Sequence, residues 1–413
     1  MYAIAIKLFS LFIRIAAFFG HTKAMHLVRG QKHVWKQIES RLQPDERRIW
    51  IHCASVGEFE QGRPLIEDIR QQCPQYKILL TFFSSSGYEL RKDYSGADYV
   101  FYLPFDRYYN ARRFVNLVKP EIIYFIKYEF WRNYLKVIKH HKIPLYLVSA
   151  IFRPEQVFFK WYGGWYRKLL RSFTHFFVQN EQSKMLLASI AHTNVTVTGD
   201  TRFDRVCRIF DTAQQFPEVE RFVDGKLCVV VGSSWQHDEE IIVRYINTKK
   251  RVLKWIFAPH ELHDNQIARL TDSIKSKTVR YSQLSSVESA DYQVLIIDNI
   301  GMLSSLYRYG TVAYIGGGFG KGIHNTLEAA VYNIPVFFGP AYKKFQEAVD
   351  LVNLGGAFSI TNYDEFALQL DYLLDNKVEL QNAGEKAGAF VSSGRGATAK
   401  VMKESLLKKF KNV

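Results

Sequence analysis

The chain is 413 residues long, 47% hydrophobic and 23% charged, a composition that excludes extensive disorder and, at this length, implies two globular domains rather than one. Its net charge of +15, carried with 15% aromatic residues, suits a negatively charged partner: nucleic acid, an anionic membrane face or a phosphorylated substrate. Cys53, Cys73, Cys207 and Cys228 have no metal-ligand spacing and read as reduced thiols of a cytosolic chain.

Residues 2–20 are apolar apart from Lys7, Ser10 and Arg14. At helical period these three share one stripe, leaving Ile4, Leu8, Phe9, Leu11, Phe12, Ile15 and Phe18 to bury elsewhere. Charges inside the run and the lack of a small-residue cleavage site argue against a secretory signal, and two cations near the bilayer interior argue against a spanning helix. The expectation is a monotopic, interfacial helix in the cytoplasmic leaflet, with His21, Lys23, His26, Arg29, Lys32 and Lys36 extending a basic surface toward anionic lipid. A helix packed on the protein's own core is the alternative. Residues 1–45 form this segment.

From Arg48 the pattern alternates strand and helix. IWIHCASVGE breaks at Ser55 to Gly57 and leads into a helix from Phe59 to about Gln72; KILLTFFSSSGYE repeats the design with a turn over residues 84–87. Residues 99–103, 122–126, 145–149, 176–179 and 195–198 are further short strands. Such strands separated by helices imply a parallel, doubly wound sheet over residues 46–205, whose loops at the strand carboxyl ends form the site. Ser55, Gly57, Glu58, Ser84, Ser85, Glu129 and Gln179 fall there. Residues 151–177, dense in aromatics interleaved with cations, fit single-stranded nucleic acid, a membrane or lipid-phosphate surface, or a buried helix with snorkelling arginines.

Residues 206–226 read as a polar, irregular linker, after which the rhythm restarts over residues 227–395 with strands at 227–235, 252–261, 294–298, 311–318 and 334–339. Residues 396–413 read as a basic closing helix that packs back on the first domain. The stretch YIGGGFGKGIHNTLEAAVYNIPVFFGP, residues 314–340, is one β-α-β unit with glycines at 316, 317, 318, 320 and 322 and a helix from about Asn325 to Val331. Glycines admit close approach of a phosphate, and the first amides of the helix favour negative charge. Asn325 with Glu328 has capping-box spacing, so part of the pattern is equally helix punctuation; punctuation does not ask for His324.

Two doubly wound domains meeting at their strand ends make a cleft, where ligands usually sit. The second domain offers an anion site at the glycine turn and a small-residue turn at Ser233 and Ser234; the first offers Glu58, which reads either as a general base in an apolar cleft or as an N-terminal helix residue on the dipole. GGGFGKG is not a dinucleotide fingerprint, and the P-loop lysine-serine pair is absent, so a sugar-nucleotide enzyme fits better than a dehydrogenase or an NTPase.

WIHCASVGEFEQGRPLIEDI, YEFWRN at 128–133, FVQNEQSKMLL at 177–187, TGDTRFD at 198–204, GGGFGKGIHNTLEAA and FFGPAYKKFQE together resemble the bacterial 3-deoxy-D-manno-octulosonic acid (Kdo) transferases. The resemblance implies an α/β, two-domain GT-B glycosyltransferase of lipopolysaccharide synthesis at the cytoplasmic face of the inner membrane. It implies transfer of Kdo, with inversion, from a CMP-Kdo donor to a phosphorylated glycolipid acceptor, a lipid A precursor. By the resemblance Glu58 is the general base and Glu129 a second acidic residue of the acceptor side; Ser55, Gly57, Ser84, Ser85 and Gln179, placed in the strand-end loops, are the candidate loop residues of that side. Asn325 and Glu328 hold the nucleotide and ribose, with His324 beside them and Gly317, Gly318 and Gly322 facing the phosphate. Ser233, Ser234, His260, Gly301 and Met302 complete the donor side. The chain departs from the family at APHELHDN, which keeps His260 without the usual arginines, at Lys127 in place of an acidic residue, and at Ile300-Gly301-Met302 in place of M-G-E. The absence of a metal-dependent Asp-x-Asp motif implies no metal and no cofactor, and nucleic acid has only the basic charge in its favour. Another GT-B enzyme using a UDP-sugar, or a non-catalytic sugar-nucleotide or glycolipid binding module, is the alternative.

Overall fold

The computed structural model describes residues 2–249 and 251–407. The chain divides into two compact units, Met1–Arg205 with Arg395–Val413, and Val206–Gly394.

The first unit is a seven-stranded parallel sheet of β1 (Arg48–Cys53), β2 (Lys77–Phe82), β3 (Tyr99–Tyr102), β4 (Pro120–Ile126), β5 (Leu145–Ala150), β6 (His175–Val178) and β7 (Val195–Val197), in the order β3-β2-β1-β4-β5-β6-β7. Its central strands are buried apart from Glu121 near the start of β4, as a sheet covered on both faces requires. Ile49, Trp50 and Ile51 are fully buried in β1, and each such side chain contributes about 1.5–3 kcal/mol. The strand order reverses between β1 and β4, the switch point at which open α/β sheets leave a crevice beyond their carboxyl ends.

The second unit repeats the plan with β8 (Cys228–Ser234), β9 (Lys254–Pro259), β10 (Thr278–Arg280), β11 (Val294–Ile296), β12 (Val312–Ile315), β13 (Val336–Phe338) and β14 (Ala357–Ser359), in the order β10-β11-β9-β8-β12-β13-β14. Here the reversal lies between β8 and β12. The edge strands β10 and β14, three residues each, have no counterpart in the sequence reading.

Helices α1 (Tyr2–Phe18) and α2 (Thr22–Arg41) precede the first sheet. Ser10 and Ile13 of α1 are buried, while Lys7 and Arg14, on the same stripe as Ser10, stay exposed. Tyr2 anchors the helix start by hydrogen bonding to Asp106, and Phe9 stacks on Phe83 at 6.1 Å. Ile4, Leu8, Leu11, Phe12 and Ile15 remain exposed, and Phe18 is 86% exposed. No described helix is long and apolar enough to cross a membrane.

Residues 206–226, expected to be irregular, hold most of helix Arg202–Asp211 and all of helix Pro217–Val223. Pro217 starts the latter, a position where its missing N–H costs nothing. The closing segment is helical over Ala397–Met402 and continues as a π-helical turn over Lys403–Leu407; residues 408–413 lie outside the described residues. Val401, Met402 and Leu406 join the core of the first unit, and Asp204 accepts hydrogen bonds from the Gly396 and Thr398 amides at 2.6 and 2.7 Å.

Candidate active site

In the first unit, Ser55 caps helix α3 (Val56–Gln72) just beyond β1. Gly62 sets how closely α3 lies against the sheet: a Cβ there would come within 2.9 Å of Cys53 Sγ and 3.3 Å of Ile126 Cγ1. Glu58 closes a capping box, its Oε2 accepting from the Ser55 amide at 2.8 Å and from the Ser55 hydroxyl at 3.2 Å. The helix-terminal reading of Glu58 therefore holds, and it does not exhaust the residue. Oε1 has no hydrogen-bond partner among the described residues. Burial raises the carboxyl above the ordinary glutamate range, and nearby Glu129 adds to the rise, while His52 and the Ser55 hydrogen bonds act against it. A carboxylate held at one oxygen, open at the other and raised in basicity suits proton abstraction.

Glu129 follows β4 across the switch point and is buried. Its Oε2 lies 3.0 Å from His52 Nε2 and accepts the Trp131 indole N–H. His52 Nδ1 lies 2.8 Å from Thr81 Oγ1, which also accepts from Trp50 Nε1 at 2.8 Å. His52, Thr81 and Trp131 are supporting residues that sequence reasoning missed; the signal was a histidine inside the otherwise apolar run IWIHC.

The other first-unit candidates are chiefly structural. Ser84 caps its helix through the Gly87 amide at 3.1 Å, Ser85 is buried behind it, and Gly57 is exposed in the first turn of α3. Gln179 donates to Ser149 O at 2.8 Å, and no hydrogen bond among the described residues joins it to Glu58 or Glu129.

In the second unit, β8 ends at Ser233, in the left-handed region with φ +52°, and Ser234, buried and bonded to Glu239 Oε1 at 3.0 Å. β12 ends against it: a Cβ on Gly316 would lie 2.2 Å from Ser233 O, so only glycine permits this approach. The Gly317 amide is engaged by Asp238 Oδ2 at 2.9 Å and the Gly320 amide by Gly317 O at 3.1 Å, so neither is a free phosphate donor. Asp238 also accepts from the Trp235 amide at 3.0 Å and the Tyr314 hydroxyl at 2.9 Å, which ties the turn to β12 and to helix Gln236–Thr248.

The helix expected from Asn325 to Val331 is four residues, Leu327–Ala330, too short for much of a dipole. Asn325 Oδ1 accepts from the Leu327 amide at 3.2 Å and its Nδ2 donates to Glu328 Oε1 at 3.0 Å, so the pair forms a local bond rather than the reciprocal capping box. His324 is the third ring of a stack: Trp235 on His260 with centroids 4.5 Å apart, and His260 on His324 at 4.5 Å. Burial, with His260 alongside, pushes His324 down to about 4. A cavity of about 410 Å³ opens here, lined in part by Trp235, Asp238, Gly317, Lys321, Gly322 and His324. Gly318 is instead packed on Gly339, and no hydrogen bond or ring contact among the described residues joins Gly301 or Met302 to the stack. Larger cavities lie at the amino ends of β9 and β11 and along helix Gln236–Thr248, away from the strand carboxyl ends where this fold binds ligands. Among the described residues no three His, Cys, Asp or Glu side chains are grouped to hold a metal ion.

Residues 28–205 match the family model of the 3-deoxy-D-manno-octulosonic-acid transferases (kdotransferases). The chain is 27% identical over 340 residues to the 3-deoxy-D-manno-octulosonic acid transferase of Aquifex aeolicus, covering 81% of this chain and 88% of that one. It is 24% identical over 377 residues to the transferase of that name from Haemophilus influenzae, covering 87% and 86%. Among solved structures it is similar to a UDP-GlcNAc 2-epimerase of Neisseria meningitidis bound to UDP-GlcNAc, with a TM-score of 0.61, 17% identity and coverage of 87% of this chain and 100% of that one. It is also similar to Acinetobacter baumannii MurG, with a TM-score of 0.56, 11% identity and coverage of 87% and 99%. With its two parallel α/β units and these relatives, the chain is a glycosyltransferase of GT-B fold, similar over most of its length to the 3-deoxy-D-manno-octulosonic acid transferases.

Proposed function

We propose that this enzyme transfers Kdo from CMP-Kdo to a sugar hydroxyl of a lipid A precursor, with inversion and without a metal, at the cytoplasmic face of the inner membrane. The observation that carries the mechanism is Glu58, fixed through Oε2 by Ser55, open at Oε1 and raised in basicity by burial. Oε1 takes the acceptor hydroxyl proton as that oxygen bonds to the anomeric carbon of Kdo. The bond from that carbon to the donor phosphate oxygen breaks, and its electron pair leaves with CMP. Glu129, held by His52 and Trp131, keeps a second negative charge near Glu58 and so favours proton uptake by it. At the glycine turn, Asn325, Glu328 and His324 meet the nucleotide, and Lys321, which lines one cavity with His324, supplies a cation for the leaving phosphate that the sequence around His260 does not.

Attachment to the bilayer is supported by the exposed apolar side of α1 and by Trp161, 90% exposed, with Tyr162, Trp165 and Tyr166 close by in sequence. Arg132 lies 5.6 Å from the Tyr2 ring and 4.8 Å from the Trp165 ring, joining the two apolar surfaces through a cation. Aromatic rings and cations together favour an anionic lipid interface, and this reading takes nucleic acid as no partner.

The deciding experiment incubates purified enzyme with CMP-Kdo and lipid A precursor, with UDP-GlcNAc as the competing donor. Transfer from CMP-Kdo, inhibited by CMP and not by UDP, is expected. Turnover of UDP-GlcNAc alone would overturn the donor assignment, and nucleotide binding without turnover would reduce the chain to a binding module.

A further inference from the structure

The stack at the glycine turn contains a residue that none of the site chemistry above assigns. Trp235 follows β8 directly and half-exposes its indole beside the cavity. An indole N–H only donates, and Trp235 Nε1 lies 3.2 Å from His324 Nε2, so that nitrogen is the acceptor and carries no proton. The same edge of His324 faces Gly317, where a Cβ would lie 3.2 Å from Cδ2 and 3.4 Å from Nε2. The imidazole packs on His260, stacked at 4.5 Å and 30°, and Trp235 also stacks on His260, at 4.5 Å and 26°. Nδ1 has no hydrogen-bond partner among the described residues.

We propose that Trp235 is a positioning residue of the donor site: its N–H fixes His324 as the Nδ1–H tautomer, so that His324 acts as a neutral hydrogen-bond donor to an oxygen of the bound sugar nucleotide. The proposal rests on the cavity at the glycine turn being the donor site. Three features converge on it. The Trp235 bond decides which nitrogen is free, the stack fixes where that nitrogen points, and burial beside His260 keeps the ring uncharged through the physiological range. A neutral donor holds an oxygen without the tight charge pairing that would resist product release. The titratable groups lining the cavity around His324 are His237 and Asp238 from helix Gln236–Thr248 and Lys321 from the glycine turn, with His260 in the stack and Glu328 in the helix that follows.

Two substitutions separate the bond from the stack. Trp235→Phe keeps an aromatic ring and loses the N–H; Trp235→Gln loses the ring and keeps an amide donor. The full-length protein, labelled with ¹⁵N at histidine and assigned by a His324→Gln variant, is read by long-range ¹H–¹⁵N spectra without ligand. Wild type should show His324 as the Nδ1–H tautomer from pH 5 to 8, Trp235→Phe should shift it toward the mixed or Nε2–H form, and Trp235→Gln should restore it. In parallel, kcat/KM for the donor should fall roughly 10-fold in Trp235→Phe, the scale of one neutral hydrogen bond, and recover in part in Trp235→Gln. An Nε2–H tautomer in wild type, or Trp235→Phe with unchanged tautomer and donor kinetics, overturns the proposal. The tautomer is measured on unliganded protein, so loss of the Trp235 bond is distinguishable from failure of the donor assignment, which appears instead as no CMP binding by calorimetry in wild type.

Discussion

Glu58→Gln separates the two roles this glutamate holds. Glutamine retains a side-chain oxygen for the Ser55 amide, 2.8 Å from the present Oε2, so the capping box survives. The substitution also removes a buried charge that faces Glu129. The folded protein should therefore melt no lower than wild type at pH 7, whereas Glu58→Ala, which loses the cap, should cost about 1 kcal/mol, roughly 2–4 °C in Tm. Sign supports the asymmetry: the folded-state carboxyl is raised, so the charged form is disfavoured by folding, and stability from this group is lost as pH rises through the usual glutamate range toward the raised value. Activity should behave otherwise. A positioned base contributes about 10²–10⁴-fold, so Glu58→Gln should lose that much in kcat with a nearly unchanged KM for donor. The assay is initial-rate transfer from CMP-Kdo to lipid A precursor, with a thermal melt of each variant. Wild-type kcat in Glu58→Gln, or a melt depressed as far as in Glu58→Ala, would refute the reasoning.

The acid limb of the kcat/KM profile should lie above the ordinary glutamate range, and Glu129→Gln should move it to lower pH by removing the negative charge that helps raise Glu58; a limb that stays put sinks the assigned coupling. Gly316→Ala forces a methyl to 2.2 Å from Ser233 O and should cost more than about 2 kcal/mol, read as a lost or strongly lowered melting transition. Asp204→Ala leaves the Gly396 and Thr398 amides without their carboxylate and should lower stability by about 1–2 kcal/mol, with faster proteolysis at residues 395–407 in a limited digest. EDTA at millimolar strength should leave the transfer rate unchanged; a rate abolished by EDTA and restored by Mg²⁺ would contradict metal-independent chemistry.

The central strands were legible because parallel strands covered on both faces are near-continuous apolar runs, and RIWIHC, PEIIYFI and CVVVGSS each carry such a run. β10 and β14 were not, since TVR and AFS are three-residue edges whose pairing comes from the neighbouring strand and not from their own pattern. The irregular reading of residues 206–226 failed because charged side chains on RFDRVCRIFD hide an amphipathic helix. At the candidate site, Ser55 and Glu58 were legible from their place in the loop at the end of an apolar run, and the glycine turn from composition. The residues that orient them were not: His52 meets Glu129 from 77 positions away, and Trp235 meets His324 from 89. Asp238 likewise fastens Gly317 from 79 positions away, a contact no local pattern shows.

Under the proposed reading the acceptor keeps its acyl chains in the bilayer while a sugar hydroxyl meets Glu58, so the membrane-facing helix and the acceptor carboxylates have to be mechanically joined. A continuous path of rings does this within the first unit. Phe9 of α1 stacks on Phe83, just past β2, at 6.1 Å; Phe83 packs on Trp131 at 4.6 Å; and Trp131 donates its N–H to Glu129, which holds His52. The inner contacts resist sliding, since packed rings cannot shift without opening a void, while Phe9 at the outer end is half-exposed. Displacement of α1 therefore disturbs the Glu129 hydrogen bonds before it disturbs the sheet. On this argument α1 sets the geometry of the acceptor side as well as its distance from the lipid, and a helix that only tethered the enzyme would have no reason to place Phe9 on that path.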